Sequence, residues 1–208
     1  TSPEGGNLVG SGIAIKRSGW EVRNFRSIAG DRSSVPSPDN RDCLGLEGES
    51  QPIEDIRVKG MTFAYALDGL FDLYSTRIQR VSIEDCIFAE PLDVSPYQPH
   101  PSGPHSTALL ISKGLDVLVQ NCLFAHWRYR APAIRGPSSV AFVNCLMYNV
   151  RDAVWQLYGS DANQTGGTIL ACFIGNHAKM GLNCPTFRTS PPGFFEVAQS
   201  NMNVWNQS

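Results

Sequence analysis

Two arginines stand at a spacing that suits the binding of an anion. Arg130 and Arg135 form the pattern Arg-x-Pro-x-x-Arg directly after the strand-like run Val117–Phe124. Guanidiniums fixed at the end of a strand favour a ligand that bears carboxylates, because the planar fork of arginine donates two parallel hydrogen bonds to such a group. The motif therefore predicts a site for an anionic ligand.

Two carboxylates upstream indicate a second kind of chemistry. Asp68 and Asp72 lie four residues apart in the stretch Asp-Gly-Leu-Phe-Asp. Carboxylate oxygens are the ligands that a hard cation such as calcium prefers, so the pair could share one ion. The alternative is that both are ordinary turn or solvent-facing acids.

Both motifs belong to a repeat that runs through the chain. In each copy, a residue that tolerates a left-handed backbone is followed by an apolar residue that must point inward. The predicted bends lie 36, 25, 36, 23 and 27 residues apart, which is typical of proteins built from stacked coils. These bends are Asn24, Gly60, Asp85, Asn121, Asn144 and Ala171.

Cysteine fills the inward position after the last four predicted bends. We expect these residues to form one inward ladder of free, buried thiols, because a free cysteine behaves as a small hydrophobe. A disulfide between neighbouring coils is the alternative, and Cys43 and Cys184 lie outside the ladder. The predicted ladder is Cys86, Cys122, Cys145 and Cys172.

Short segments rich in β-branched and aromatic residues fill the space between bends and show no helical period. One bend per roughly 23 residues favours an all-β fold, a right-handed single-stranded parallel β-helix. A β-sandwich would instead show hairpin turns at about 8–12 residues. We expect a single domain over residues 1–208, with surface loops near 31–41 and 90–105 and no firm assignment for 181–208.

The overall charge excludes some partners. The net charge is −2 and charged residues make up 17% of the chain, so no basic surface indicates nucleic-acid binding. No apolar run approaches the ~20 residues that a membrane helix needs. We therefore expect neither a nucleic-acid nor a membrane partner.

Three parts of the chain resemble the pectate lyases, which are parallel β-helix enzymes that cleave polygalacturonate with calcium. Leu123–Arg135 resembles the segment with the family's catalytic arginine. Asp68–Asp72, followed by Val81–Cys86, resembles its calcium-binding coil, and Ser2–Gly6 with Val22–Asp31 resembles the opening coils. The resemblance implies a secreted lyase that acts on an acidic polysaccharide.

The resemblance also implies roles for individual residues. It makes Arg130 the general base, Arg135 a substrate-binding arginine, and Asp68 and Asp72 calcium ligands. The family's third acidic ligand comes from the preceding coil, where Asp42 is the best match and Asp31 the second choice.

Two positions depart from the family pattern. The family's substrate-holding lysine is matched by His105, and a third arginine that is frequent in the family is replaced by Ala133. The first departure makes His105 a candidate substrate contact. Together they also raise the alternative that the chain binds a polyuronate without turning it over.

The chemistry of polyuronate cleavage adds two more candidates. A guanidinium accepts a proton only where exclusion of water and neighbouring cations disfavour its charge, and we expect Arg128, Arg135 and calcium to supply that field. Trp127 and Tyr129 lie beside the arginines and could stack on sugar rings, or could equally cover an apolar face.

Two other function classes remain open from the sequence. One is a non-catalytic β-helix that binds carbohydrate or serves as a spike or stalk. The other is a glycoside hydrolase on the same fold, which needs closely placed carboxylates for acid and base catalysis. The usual Gly-His-Gly element of the polygalacturonases is absent from the sequence, so the lyase is favoured.

Overall fold

The computed structural model describes most of the chain between residues 5 and 207. Side chains at 75–76 and in the last two strands lie outside the description, as does Cys184. The described residues are 5–10, 12–31, 40–48, 51–97, 99–151, 154–158, 167–182, 195–198 and 202–207.

The protein is all-β, as predicted. The described part of the chain contains no α-helix, and therefore no helix long and apolar enough to cross a membrane. Its strands are β1 (Gly6–Val9), β2 (Ile13–Ile15), β3 (Glu21–Arg23), β4 (Phe25–Ile28), β5 (Leu44–Leu46), β6 (Ile53–Lys59), β7 (Thr62–Ala64), β8 (Gly69–Glu84), β9 (Ile87–Ala89), β10 (Thr107–Gln120), β11 (Leu123–Ala125), β12 (Ala133–Arg135), β13 (Ser138–Val143), β14 (Leu146–Tyr148), β15 (Trp155–Tyr158), β16 (Ile169–Ile174), β17 (His177–Lys179), β18 (Phe195–Ala198) and β19 (Met202–Gln207).

The strands form two sheets in which the described pairs are all parallel. The first sheet has seven strands in the order β1-β4-β7-β9-β11-β14-β17, so each strand pairs with its counterpart in the next repeat. The second sheet has twelve strands and two halves, because the long strands β8 and β10 change register between Ser112 and Gly114. Before this shift β10 pairs with β12, and after it β10 pairs with β13.

A stack of aromatic side chains fills the interior. Phe63, Phe88 and Phe124 occupy equivalent positions of β7, β9 and β11 and are fully buried. Their ring centroids are 5.0 and 4.6 Å apart along the stack, close to the ~4.8 Å between neighbouring strands. Like side chains therefore pack on like, and this packing favours the observed register.

The predicted bends are confirmed at five of six positions: Asn24, Gly60, Asp85, Asn121 and Asn144 all have a positive φ, between 52° and 62°. Their polar side chains also form a ladder of their own. The Asn144 amide donates to Asn121 Oδ1 at 2.8 Å, and the Asn121 amide donates to Asp85 Oδ1 at 3.2 Å. The bends thus stabilise one another between coils.

The sixth bend lies at Gly175, where φ is 61°, and the prediction of Ala171 is wrong. Ala171 points inward, whereas Cys172 is half-buried on the outer face of β16. Asn176 takes the position beside Cys145, and its Oδ1 accepts a hydrogen bond from the Cys145 amide at 2.9 Å. The cysteine ladder therefore ends at Cys145.

The cysteines in the described part of the chain are free thiols, so the disulfide alternative is excluded for them. Cys86, Cys122 and Cys145 are buried at the predicted inward position. Cys43 is also buried, and this burial raises the pKa of its thiol to about 12. Cys43 therefore serves as a packing group rather than as a nucleophile.

The amide ladder gives a test of the bends by substitution of Asn144. Asn144→Ala removes a hydrogen bond and places alanine, which has a Cβ but no polar side-chain group, at a left-handed φ. Asn144→Gly removes the same hydrogen bond but accepts that φ. We expect the alanine variant to be less stable than the glycine variant by about 1 kcal/mol, measured by urea unfolding. Equal stability of the two variants would contradict this account.

Candidate functional site

A polar cleft of about 360 Å³ lies on the outer face of the first half of the second sheet. Parallel register assembles it, because Gly45 of β5 pairs with Asp72 of β8, Asp72 with Leu110 of β10, and Leu110 with Ala133 of β12. Residues distant in sequence therefore lie on adjacent strands. The lining residues are Asn40, Asp42, Gly45, Glu47, Asp68, Asp72, Tyr74, His100, Ser102, His105, Leu110, Arg130 and Arg135.

Three carboxylates meet at one end of the cleft. Oxygens of Asp42, Asp68 and Asp72 all lie within 4.8 Å of one another. The Gly69 amide donates to Asp42 Oδ1 at 2.7 Å, whereas Asp72 Oδ1 is buried and has no hydrogen-bond partner among the described residues. The structure thus brings together the three predicted cation ligands and selects Asp42 over Asp31.

Gly69 keeps the space between these acids open. A Cβ at this position would collide with Asp72 Oδ1 and would lie 3.0 Å from Asp42 Oδ1. Any side chain here would therefore fill the pocket between the two carboxylates. An open pocket lined by carboxylate oxygens fits the preference of calcium for hard oxygen ligands.

The proximity of the acids perturbs their titration. Burial and the charge of Asp68 raise the pKa of Asp72, against the opposing effect of Arg130 and Arg135, to about 7. Burial, followed by the charges of Asp72 and Asp68, raises the pKa of Asp42 well above its ordinary value. Asp42 and Asp72 therefore retain their protons to a higher pH than isolated carboxyl groups do.

Arg130 reaches the cleft from a left-handed backbone conformation with φ 60°. Its amide donates to Gln156 Oε1 at 2.8 Å, and its carbonyl accepts from the amides of Ala108 at 3.1 Å and Leu109 at 2.7 Å. A left-handed residue other than glycine costs about 1–2 kcal/mol, and these three hydrogen bonds offset that cost. Such conformations are concentrated at functional sites.

Two buried histidines cover the acidic end of the cleft. The side chains of His100 and His105 are 2% and 5% exposed, and their Nε2 atoms lie 3.7 and 3.2 Å from Asp68 Oδ1. Their rings stack with centroids 3.7 Å apart. The segment 90–105 is therefore only partly the surface loop that was predicted, because its end packs into the site.

Each histidine ring has a polar partner at Nδ1. The Ser102 amide donates to His100 Nδ1 at 3.1 Å, and the Tyr129 hydroxyl lies 2.9 Å from His105 Nδ1. A neutral imidazole has one donor and one acceptor, so His100, which accepts at Nδ1, carries its proton on Nε2, whereas the Tyr129 hydroxyl can donate to His105 Nδ1 or accept from it. Asp68, His100 and His105 also group closely enough to hold a metal.

Two predicted substrate contacts lie elsewhere. Trp127 is 2% exposed and packs edge-on against Phe124, with centroids 6.5 Å apart, so it belongs to the core. Arg128 Nη1 donates to the Pro104 carbonyl at 2.8 Å, and Arg128 does not line the cleft. Trp127 faces inward because it takes the first place after the bend at His126, where φ is 59°.

Two lining residues that were not predicted from the sequence bear on the chemistry of the cleft. Tyr74 is 55% exposed and shares the outer face of β8 with Asp72, two residues away. Side chains alternate between the two faces of a strand, so the bounds of β8 place Tyr74 on the same face as Asp72. His100 lies in a proline-rich loop, where no periodic pattern marks it.

Tyr74 is thus an exposed aromatic ring in the cleft, a place that was expected for Trp127. Arginines, carboxylates and this exposed ring share one cleft, and that combination suits an acidic carbohydrate. Neither the protein-family models nor the curated proteins give a match to this chain. The chemistry of the cleft is therefore derived from its geometry.

The raised pKa of Asp72 predicts how the stability of the cation-free protein depends on pH. Its native pKa of about 7 exceeds its ordinary value of 3.8, so the native state binds more protons than the unfolded state between these values. The contribution of Asp72 to stability should therefore be greatest below its ordinary value of 3.8 and be lost as pH rises through about 7.

Urea unfolding in a chelating buffer at a series of pH values tests this prediction. We expect Asp72→Asn to flatten the decline, because the amide does not titrate, and saturating calcium to reverse it in the wild-type protein. A wild-type profile that rises between pH 4 and 7 in the chelator would contradict the assigned cause.

Proposed function

We propose that this protein is a polysaccharide lyase that cleaves polygalacturonate, or a related polyuronate, by β-elimination outside the cell. The observation that carries this proposal is the meeting in one cleft of three carboxylates, Asp42, Asp68 and Asp72, with Arg130 and Arg135. Cleavage of a polyuronate needs both the carboxylates and the arginines, because the sugar carboxylates must be neutralised and a proton must be removed next to one of them.

We also propose that the two sheets are the faces of a single right-handed parallel β-helix. Parallel pairing of each strand with its counterpart one repeat later supports this arrangement. So does the register change within β8 and β10, because each of these long strands pairs in two separate segments. A solenoid of this kind would carry its substrate across the adjacent strands of one face.

The acidic cluster is the proposed calcium site. Asp42, Asp68 and Asp72 would hold the ion, and the unpartnered Asp72 oxygen and the open pocket above Gly69 fit it. Bound calcium would neutralise the sugar carboxylate and favour the enediolate that forms when the adjacent proton leaves. Carboxylates alone hold such an ion loosely, so binding should tighten when the uronate adds its own oxygens.

The arginines supply the remaining chemistry. Arg135 binds a sugar carboxylate through its planar guanidinium. Neutral Arg130 takes the proton from carbon 5, the electrons of that bond form the double bond to carbon 4, and the bond from carbon 4 to the bridging oxygen breaks. The leaving oxygen then takes a proton from water.

The nearby acids suggest an order in which the cation binds before the proton is removed. The charge of Arg130 lowers the pKa of Asp72, so the two groups attract one another. A cation that cancels the carboxylate charge would weaken this attraction and make Arg130 more accessible to the substrate. The same carboxylates would therefore suppress catalysis in the absence of the ion and permit it in its presence.

One observation favours a second candidate, a module that binds polyuronate without cleaving it. His105 stands where the resembled family has a substrate-holding lysine, yet its side chain is buried against Asp68. It therefore offers no mobile cation to the sugar. In this alternative the cleft would bind calcium and uronate together, but no double bond would form.

Arg130→Lys distinguishes the lyase from the binding module. Lysine retains a positive charge but loses the planar fork, so binding should partly survive while turnover falls by about 100-fold or more. Release of the unsaturated product from polygalacturonate, followed by its ultraviolet absorbance with and without calcium, measures turnover.

Arg128→Lys provides the matched control, because Arg128 does not line the cleft. It should retain the wild-type rate. Equal rates for the wild-type protein and Arg130→Lys would remove Arg130 from the reaction. No product from the wild-type protein on any polyuronate would leave the binding module as the function.

Tyr74 provides a second test of the cleft. Its ring is expected to stack on a sugar face next to the carboxylate bound by Arg135, since Tyr74 and Arg135 both pair with Ser112 across adjacent strands. Tyr74→Ala should raise KM about 2- to 10-fold with little change in kcat, whereas Tyr74→Phe should keep the wild-type KM. An unchanged KM in Tyr74→Ala would place the sugar elsewhere.

A further inference from the structure

A chain of polar and ring contacts crosses the cleft from the acids to the arginines. His105 Nε2 is 3.2 Å from Asp68 Oδ1, and His105 Nδ1 is 2.9 Å from the Tyr129 hydroxyl. The guanidinium carbon of Arg130 lies 5.3 Å from the centre of the Tyr129 ring, within range of a cation–π interaction. The chain therefore contacts both halves of the proposed site.

We propose that His105 is a positioning residue, held by Tyr129, that orients Asp68 so that its other carboxylate oxygen faces the cation. In this arrangement His105 and Tyr129 also link the cation site to Arg130. The inference rests on the cation site of the proposed function, but it does not depend on turnover.

The His105 ring is held from several sides. It stacks on His100 with an interplanar angle of 16°, and it meets the Tyr129 ring edge-on at 5.5 Å and 76°. Its side chain is 5% exposed, so rotation would require these neighbours to move. Its Nε2 is therefore held beside Asp68 before any ion arrives.

Main-chain pairing also connects Asp68 with Tyr129. Thr107 pairs with Gly69 on one side and with Tyr129 on the other, and its hydroxyl donates to the Asp68 carbonyl at 2.7 Å. The first residue of β10, Thr107, thus contacts both Asp68 and Tyr129. A small change at Tyr129 should consequently reach the Asp68 carboxylate through His105.

Hydrogen-bond partners behind a ligand set both its orientation and its affinity for the ion. Their removal from metal sites typically costs about 10–100-fold in affinity. A residue that only supports the fold would instead lower stability and leave the affinity of the folded protein unchanged. Calcium affinity therefore separates a positioning role from a structural one.

The test is calcium binding by calorimetry in the whole chain. His105→Ala should lower the affinity about 10-fold, and His105→Gln should recover part of the loss, because the amide still donates a hydrogen bond. Tyr129→Phe deletes only the hydroxyl and keeps the ring beneath Arg130. It should lower the affinity about 3-fold although Tyr129 touches no carboxylate.

Tyr148→Phe is the matched control. Tyr148 meets His126 edge-on at 5.3 Å and 90°, as Tyr129 meets His105, but this pair does not line the cleft. Its calcium affinity should equal that of the wild-type protein. Thermal unfolding of each variant identifies any loss that comes from misfolding.

A second readout does not involve the ion. Nitrogen-15 NMR of the cation-free protein should show His105 with its proton on Nε2, and Tyr129→Phe should mix the two tautomers. A proton on Nδ1 in the wild-type protein would overturn the proposal.

The remaining outcomes separate this inference from the proposed function. Unchanged calcium affinity in both Tyr129→Phe and folded His105→Ala would overturn the positioning role even if the protein is an active lyase. The expected losses in a protein that cleaves no polyuronate would support the positioning role and reject the lyase. A wild-type protein that binds no calcium would overturn both.

Discussion

In-register parallel pairing of strands is the constraint on which the rest of the structure depends. Neighbouring strands lie about 4.8 Å apart, so residues from β5, β8, β10 and β12 become immediate neighbours although long stretches of chain separate them. The same pairing stacks Phe88 on Phe124 inside the protein and aligns Asn121 with Asn144 at the bends. The cleft is therefore a consequence of register, and a shift by one residue would turn Asp72 from the cleft into the core.

The acidic end of the cleft is energetically unfavourable as it stands. Three carboxylates lie within 4.8 Å of one another, and burial together with the charge of Asp68 raises the pKa of Asp72. Arg130 and Arg135 oppose this shift only in part. A site of this kind gains more from a cation than a fully paired one, because the ion relieves repulsion among groups that the fold already holds together.

The loop before β10 adds order to this end of the cleft. Its histidines are buried beside Asp68, where the Ser102 amide donates to His100 Nδ1 and the Tyr129 hydroxyl contacts His105 Nδ1. The Nε2 atoms of both rings lie beside the same carboxylate, at 3.7 Å for His100 and 3.2 Å for His105. The loop thus completes a site whose acids come from the regular strands, and it joins that site to the segment that carries the arginines.

The sequence by itself determined the all-β class and five of the bends, because these depend on local backbone preference. Spacing also indicated Arg130 with Arg135 and Asp68 with Asp72 as pairs, whereas Asp42 was indicated only by the resemblance to the pectate lyases. The sequence failed where a side chain's direction depends on its neighbours. Cys172 lies outside the ladder because the last bend is at Gly175, and Trp127 is buried because it follows a bend at His126 that the repeat pattern did not mark. His100 could be placed only by tertiary structure, since nothing local directs a residue of an irregular loop towards a carboxylate on another strand.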